Sequence, residues 1–351
     1  MTRNAPETMR VARLYRWGDV RIEEVPTPAI GPDEALVRIE ACGVCGSDAL
    51  VWYVETKAPV VLGHEPAGVV VDVGDDVTSV RPGDRVFVHH HAPCGECEEC
   101  RRGLWSNCDT WRATRLDPGG FSEYARVMAP NLERDTLVLP DDMDFETATF
   151  IEPTACCIRA VRRHGQVQAG DAVLIVGLGA MGLLMVQLAR VYGAGRVLGS
   201  DFLRDRRRYA RDFGADAVLD AADDALAESV RRATQGRGAD VIIVCPGDPR
   251  AVRTAVDAAA PGARIVCFTP FPPSSSLPID LTMLYFREIT LAQSYSCGPD
   301  ETREALRLLC ERCVRVEPLV THRADLDGVA DALERARGKG GGLKTVVLPR
   351  R

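Results

Sequence analysis

One run constrains this chain more than any other. Residues 172–189, AVLIVGLGAMGLLMVQLA, carry no charge over eighteen positions, a length that touches that of a membrane span. A β-branched start, glycines at 177, 179 and 182, and a helical second half argue instead for strand, turn and helix. Gly177, Gly179 and Gly182, with Ala180 and Met181 between the last two, form a G-x-G-x-x-G turn. In this context the first glycine permits the tight turn and the second lets a pyrophosphate approach the backbone. The third lets helix and strand pack closely, with the helix N-terminus facing the phosphates. Nineteen residues past Gly182, Asp201 ends the next apolar run, RVLGSD. A carboxylate there accepts both hydroxyls of an adenosine ribose and repels a 2′-phosphate. At a separation of about 4 Å and an effective dielectric near 20 the repulsion is about 4 kcal/mol, which favours NAD over NADP. Arg204, Arg206 and Arg207 temper that preference, and Arg206 is counted with the cofactor-contacting residues.

The rest of the chain sorts around this unit. Before it, short apolar runs such as ALVRIEACGVC, GVVVDVG, DRVFVHH and FSEYARV are broken by IGPDE and SVRPGDR, the texture of a β-rich domain. After it, AVLD, DVIIVC, ARIVCF and ITLAQS alternate with helical segments, the signature of a doubly wound parallel sheet. The last fifty residues promise a helix (DETREALRLLCER), a shorter one (LDGVADALERARG) and a final strand, KTVVLP. The expected division is a β-rich domain over 1–156, a nucleotide-binding domain over 157–294 and a C-terminal return over 295–351.

Composition excludes several classes. With 43 basic and 50 acidic side chains the net charge is −7, so the chain lacks the basic footprint of a nucleic-acid or anionic-membrane binder. A hydrophobic fraction of 46% excludes a disordered chain. The N-terminal twenty residues hold no apolar run of signal-peptide length. A cytoplasmic location is therefore expected.

Thirteen cysteines are many for such a chain, but four are clustered. Cys94, Cys97, Cys100 and Cys108 form C-x2-C-x2-C-x7-C within the loop 94–108. Four thiolates filling a tetrahedron leave no open position, which marks a structural zinc site. An iron–sulfur cluster is the formal competitor for four cysteines. A DNA-binding zinc module conflicts with the acid excess and the weakly basic surroundings.

GVCGSD (Cys45, Ser47, Asp48), GHEPAG (His64, Glu65) and FIEP (Glu152) stand out beyond that loop. Each alone is weak. Together with the four-cysteine loop, GGFSEY, GLGAMG and the strand-ending Asp201, in this order, they resemble the zinc-dependent medium-chain dehydrogenases over nearly the whole chain. The polyol branch, typified by sorbitol or L-iditol 2-dehydrogenase, is the nearest match, with threonine dehydrogenases as relatives. The resemblance implies an α/β architecture, with a GroES-like β-rich catalytic domain and a Rossmann doubly wound domain. It implies NAD and two zinc ions per chain, one catalytic and one structural. Cys45 and His64 match catalytic-zinc ligands. Glu65 and Glu152 both lie at that metal in the family and ligate it directly or through water. Ser47 matches the hydroxyl that relays the substrate proton, and Asp48 a carboxylate that orients His64. Lys344 is expected at the cofactor pyrophosphate. Simple alcohol dehydrogenases carry a cysteine at the position of Glu152, and this departure points to the polyol branch.

The implied reaction is hydride transfer from a secondary alcohol of polyol or sugar type to NAD, giving a ketone. The alternatives are an L-threonine or amino-alcohol dehydrogenase, a zinc-free reductase of the same superfamily, and a cofactor-binding protein without turnover. The loop VWYVETKAP, with Trp52 and Tyr53, is more apolar than a charged amino-acid substrate calls for. The implied partners are a small alcohol and further copies of the chain, as a homotetramer or homodimer, with LPIDLTMLYF as interface or core. His89, His90 and His91 precede the cysteine loop on an expected strand, where alternation would put His89 and His91 on one face. No role is assigned to them.

Overall fold

The structure, a computed structural model, describes residues 5–338 and 341–351. The chain forms two compact bodies: Met1–Pro153 together with Cys297–Arg351, and Thr154–Ser296.

The second body is built on a six-stranded sheet in which every pairing is parallel. Its spatial order is Ala217–Asp220, Arg196–Asp201, Ala172–Val176, Ala239–Val244, Ala259–Cys267 and Thr290–Gln293. Numbered along the chain this order is 3-2-1-4-5-6, the doubly wound order of dinucleotide-binding sheets. Parallel neighbours need crossovers, and the helices Ala180–Val191, Arg204–Asp212 and Pro249–Ala258 supply them. Strands covered on both faces read as unbroken apolar runs, and Val173, Leu174 and Ile175 are fully buried. The uncharged stretch 172–189 thus divides into a five-residue strand and most of a twelve-residue helix. No helix among the described residues is long and apolar enough to cross a membrane. LPIDLTMLYF contains a helix, Leu281–Phe286, that presents apolar side chains outward: Leu281 is 75% exposed, Tyr285 78% and Phe286 79%.

The first body is β-rich, as its short apolar runs imply. Its main sheet runs Val320–Ala324, Lys344–Val347, Ala35–Gly43, Glu65–Val73, Arg85–Val88 and Thr136–Val138, with two short strands branching from it. The returning chain therefore adds two strands to a sheet begun in the first hundred residues. Val346 pairs with Gly43, which itself pairs with Glu65, so three distant segments meet across one ladder. The two helices expected near the C-terminus are Pro299–Cys310 and Val329–Ala336. The strand Val320–Ala324 was not anticipated. The histidine run lies just past Val88, where the strand has ended. Strand alternation therefore does not apply to it, and the neighbouring rings lie 5.0 Å (His89–His90) and 4.2 Å (His90–His91) apart, centroid to centroid.

Candidate active site

The four-cysteine loop closes on itself. Cys94 Sγ lies 3.8 Å from Cys100 Sγ, Cys97 Sγ 3.4 Å from Cys100 Sγ, and Cys108 Sγ 3.7 Å from Cys94 Sγ. Four sulfurs bound to zinc at 2.3 Å stand about 3.8 Å apart along the edges of a tetrahedron, so the loop already has the spacing that the ion requires. Main-chain amides of Cys94, Glu96, Cys97 and Cys100 point at the sulfurs at 3.4–3.5 Å. Burial opposes ionisation of Cys108, but the Cys94 and Trp111 amides and the neighbouring thiols bring its pKa down to about 6. Donors aimed at sulfur favour thiolate, the form that binds metal.

A second donor set forms where GVCGSD meets GHEPAG. Cys45 precedes a single 3-10 turn, Gly46–Ala49, and its amide donates to Asp48 Oδ2 at 3.1 Å. The other oxygen of that buried carboxylate, Oδ1, lies 3.1 Å from His64 Nδ1. A carboxylate on one ring nitrogen aims the other outward, as in metal-ligating histidines. His64 Nε2 accordingly faces Ser47 Oγ at 3.4 Å. Burial disfavours an imidazolium at His64, yet Asp48 and Cys45 outweigh it and raise the pKa. Glu65 opens the next strand and is fully buried. Donor atoms of Cys45, His64 and Glu65 all lie within 4.8 Å of one another. Glu65 Oε1 is a buried oxygen with no hydrogen-bond partner among the described residues, the state of a carboxylate shaped to take a cation.

In the α/β body, Gly177 sits at φ +89° directly after the first strand, a conformation that favours glycine. A Cβ on Gly182 would stand 2.0 Å from the Gly177 carbonyl oxygen, so only glycine lets helix and turn approach this closely. A Cβ on Gly179 would meet nothing within 4 Å. Gly179 is the N-cap of Ala180–Val191 and supplies no side-chain cap, so the helix N-terminus is left to amides with space in front of them. Asp201 ends its strand and accepts from the Leu178 and Leu203 amides, both at 2.8 Å. Arg206 Nη1 lies 3.7 Å from Asp201 Oδ2. Arg207 is committed to the Asp201 and Phe202 carbonyls and to Asp220.

Comparison with known proteins matches this arrangement to one family. Residues 31–137 match the sequence model described as "Alcohol dehydrogenase GroES-like domain", and residues 180–311 that described as "Zinc-binding dehydrogenase". A sorbitol dehydrogenase of Bacillus subtilis (strain 168) is 30% identical over 100% of both chains. The chain belongs to the zinc-binding dehydrogenases. An L-threonine 3-dehydrogenase of Symbiobacterium thermophilum is 33% identical over 98% of each chain. A putative zinc-binding dehydrogenase from Sinorhizobium meliloti 1021, solved with NADP, superposes with a TM-score of 0.88 at 31% identity, covering 98% of this chain and 100% of that one.

Two of the expected site residues of this dehydrogenase have partners that the sequence does not reveal. Lys344 was expected at the pyrophosphate, but it is 4% exposed and its Nζ lies 2.5 Å from Glu65 Oε2. Burial works against its charge, while Glu65 and Cys45 hold the ammonium protonated. Gly43 makes the contact possible, because a Cβ there would overlap Glu65 Oε2. The ammonium is thus committed to a carboxylate in the β-rich body. The only sequence signal was a lysine, one of three in the chain, heading an otherwise apolar strand. Glu152, expected beside Cys45 and His64, groups with His89 and His90, their donor atoms within 4.8 Å of one another. His91 Nδ1 donates to the Thr114 carbonyl (2.6 Å) and its ring packs on Trp111, while the His90 ring packs tilted against His64 with centroids 4.9 Å apart.

Proposed function

We propose that this dehydrogenase oxidises a secondary hydroxyl of a polyol or sugar-type alcohol with NAD. One observation carries the reading: Cys45, His64 and Glu65 converge beside the Ser47 hydroxyl. Three protein ligands leave the fourth position of a zinc site open, the arrangement of catalytic rather than structural zinc. Zinc held there would supply a Lewis acid that acidifies the alcohol hydroxyl, and NAD would supply the hydride acceptor. Asp48 holds the His64 ring by Nδ1 and so keeps Nε2 toward the donor set. Lys344 engages Oε2 of Glu65, leaving Oε1 as the donor atom. Ser47 Oγ receives the hydroxyl proton and passes it outward. Cys94, Cys97, Cys100 and Cys108 would hold a second, structural zinc. Gly177, Gly179, Ala180, Met181 and Gly182 would bind the pyrophosphate, and Asp201 the ribose, with Arg206 at its flank. Asp201 supports NAD over NADP. The exposed Leu281, Tyr285 and Phe286 beside the edge strand Thr290–Gln293 support a homodimer or homotetramer, to be checked by light scattering on the purified chain.

The test is NADH formation by zinc-loaded protein with polyols, sugars, L-threonine and simple secondary alcohols, with NADP run in parallel. Turnover on a polyol with NAD, lost on chelation, is expected. Turnover on L-threonine alone would move the substrate to amino alcohols. Equal activity after chelation, or an active Cys45→Ala variant, would refute the metal assignment.

A further inference from the structure

The three histidines past Val88 are held differently. His89 Nδ1 lies 2.6 Å from Asp135 Oδ2, with both side chains fully buried, and His89 Nε2 faces Cys297 Sγ at 3.6 Å. Asp135 is itself held by the Thr302 hydroxyl. His91 Nδ1 is committed to the Thr114 carbonyl. Groups of the protein therefore fix both rings. His90 differs. Its Nδ1 is a buried nitrogen with no hydrogen-bond partner among the described residues, although buried polar atoms are nearly always paired. The ring still has a set place, packed against His89, His91 and His64. His90 is not grouped with Cys45, His64 and Glu65, but one of its nitrogens lies within 4.8 Å of a Glu152 carboxylate oxygen. It stands beside the candidate metal set without belonging to it.

We propose that His90 Nδ1 recognises a second hydroxyl of the substrate, next to the one that is oxidised, and so makes this chain select polyols over mono-alcohols. This rests on the Cys45–His64–Glu65 set being the catalytic centre. Adjacent hydroxyls of a polyol are one carbon–carbon bond apart. A substrate whose reacting hydroxyl lies at that set therefore presents the next one to a ring packed on His64. The chemistry matches. A hydroxyl both donates and accepts, so it pairs with an imidazole nitrogen that carries a proton and equally with one that does not. An apolar chain in the same place leaves the nitrogen buried and unpaired, which is how such sites reject analogues that lack the hydroxyl. His90 would thus act on specificity, while Ser47 keeps the proton of the reacting hydroxyl.

The test compares propane-1,2-diol with propan-2-ol, which differ by the one neighbouring hydroxyl, on the zinc-loaded full-length protein with NAD. His90→Phe keeps an aromatic ring and deletes the nitrogen. Its ratio of kcat/KM for the diol to that for the mono-alcohol should fall at least tenfold below wild type. His90→Asn puts an amide near the place of Nδ1 and should recover part of that ratio. Calorimetric titration with D-sorbitol reads the same contact without turnover, and His90→Phe should bind it at least tenfold more weakly. A His90→Phe variant that is folded by circular dichroism and keeps the wild-type ratio or the wild-type sorbitol affinity overturns the proposal. So does an equal loss on both alcohols, the mark of a ring that only packs. A wild-type protein that oxidises no alcohol refutes the dehydrogenase reading instead, and the titration still decides the contact.

Discussion

The glycine turn allows packing and ligand binding to be separated by adding one carbon atom at two neighbouring positions. A Cβ at residue 182 would stand 2.0 Å from the Gly177 oxygen and 3.4 Å from Ile175 Cγ2. Carbon and oxygen tolerate about 3.2 Å, so Gly182→Ala must drive the helix Ala180–Val191 roughly 1.2 Å off the turn, or bend the turn itself. Overpacking of this kind costs about 2 to 3 kcal/mol. For a body of this size that lowers the melting temperature by about 6 to 12 °C. The same displacement carries the helix-terminal amides away from the phosphates, so NAD affinity falls as well. At residue 179 an added Cβ meets no protein atom. Gly179→Ala should therefore melt within about 0.5 kcal/mol of wild type while weakening NAD at least tenfold, about 1.4 kcal/mol, because the methyl fills the approach to the pyrophosphate. Thermal circular dichroism without cofactor gives the first quantity, and calorimetric titration with NAD the second. The reasoning is refuted if Gly182→Ala melts like wild type, or if Gly179→Ala binds NAD normally.

Three further outcomes follow from the same structure. Lys344→Met strips the buried Glu65 carboxylate of its partner and should destabilise the β-rich body by about 3 to 5 kcal/mol, with much of the loss recovered in Glu65→Gln/Lys344→Met. All four tryptophans (17, 52, 105 and 111) lie in that body, so their fluorescence in urea with chelator present reads it directly, and an unrecovered double variant would contradict the pairing. His164 is held neutral to about pH 4 by burial and by Arg159, Arg163 and Arg264. Below its unfolded value near 6.5 the unfolded chain binds the proton and the native chain does not, so stability should fall from pH 6.5 to pH 4, by at most about 3 kcal/mol. His164→Gln should flatten that part of the stability–pH curve, and identical curves would exclude the residue. Asp201→Ser removes the charge that repels a 2′-phosphate while Arg206 remains, and should raise the NADP-to-NAD ratio of kcat/KM at least tenfold, measured side by side with both cofactors.

The fold was legible wherever its cause is local. A neutral run that turns from β-branched to helical at three glycines can satisfy its backbone only as strand, turn and helix, and the alternation that follows permits a parallel sheet. Four cysteines within fifteen residues can reach one another whatever surrounds them, so their grouping could be read before any coordinate. Cys45, Ser47 and Asp48 share a single turn, and His64 and Glu65 are neighbours in sequence. The structure had to bring together only two short segments to complete that donor set.

The histidine run shows where such reading stops. Its three residues follow the end of a strand, where strand alternation gives no guide to side-chain direction. Lys344 was assigned to a phosphate because its place in the sequence says nothing of Glu65. The two meet only because Gly43 pairs with both neighbouring strands and leaves space between them. His89 and Cys297 are 208 positions apart, and neither motif predicts the other. Sequence by itself determined the two kinds of body, the cysteine loop, the glycine turn and most of the candidate catalytic set, because each rests on spacing along one or two short segments. Tertiary structure alone decided that Glu65 lies with Cys45 and His64, what holds Lys344, and which groups the histidines meet, because those contacts join segments that no periodicity connects.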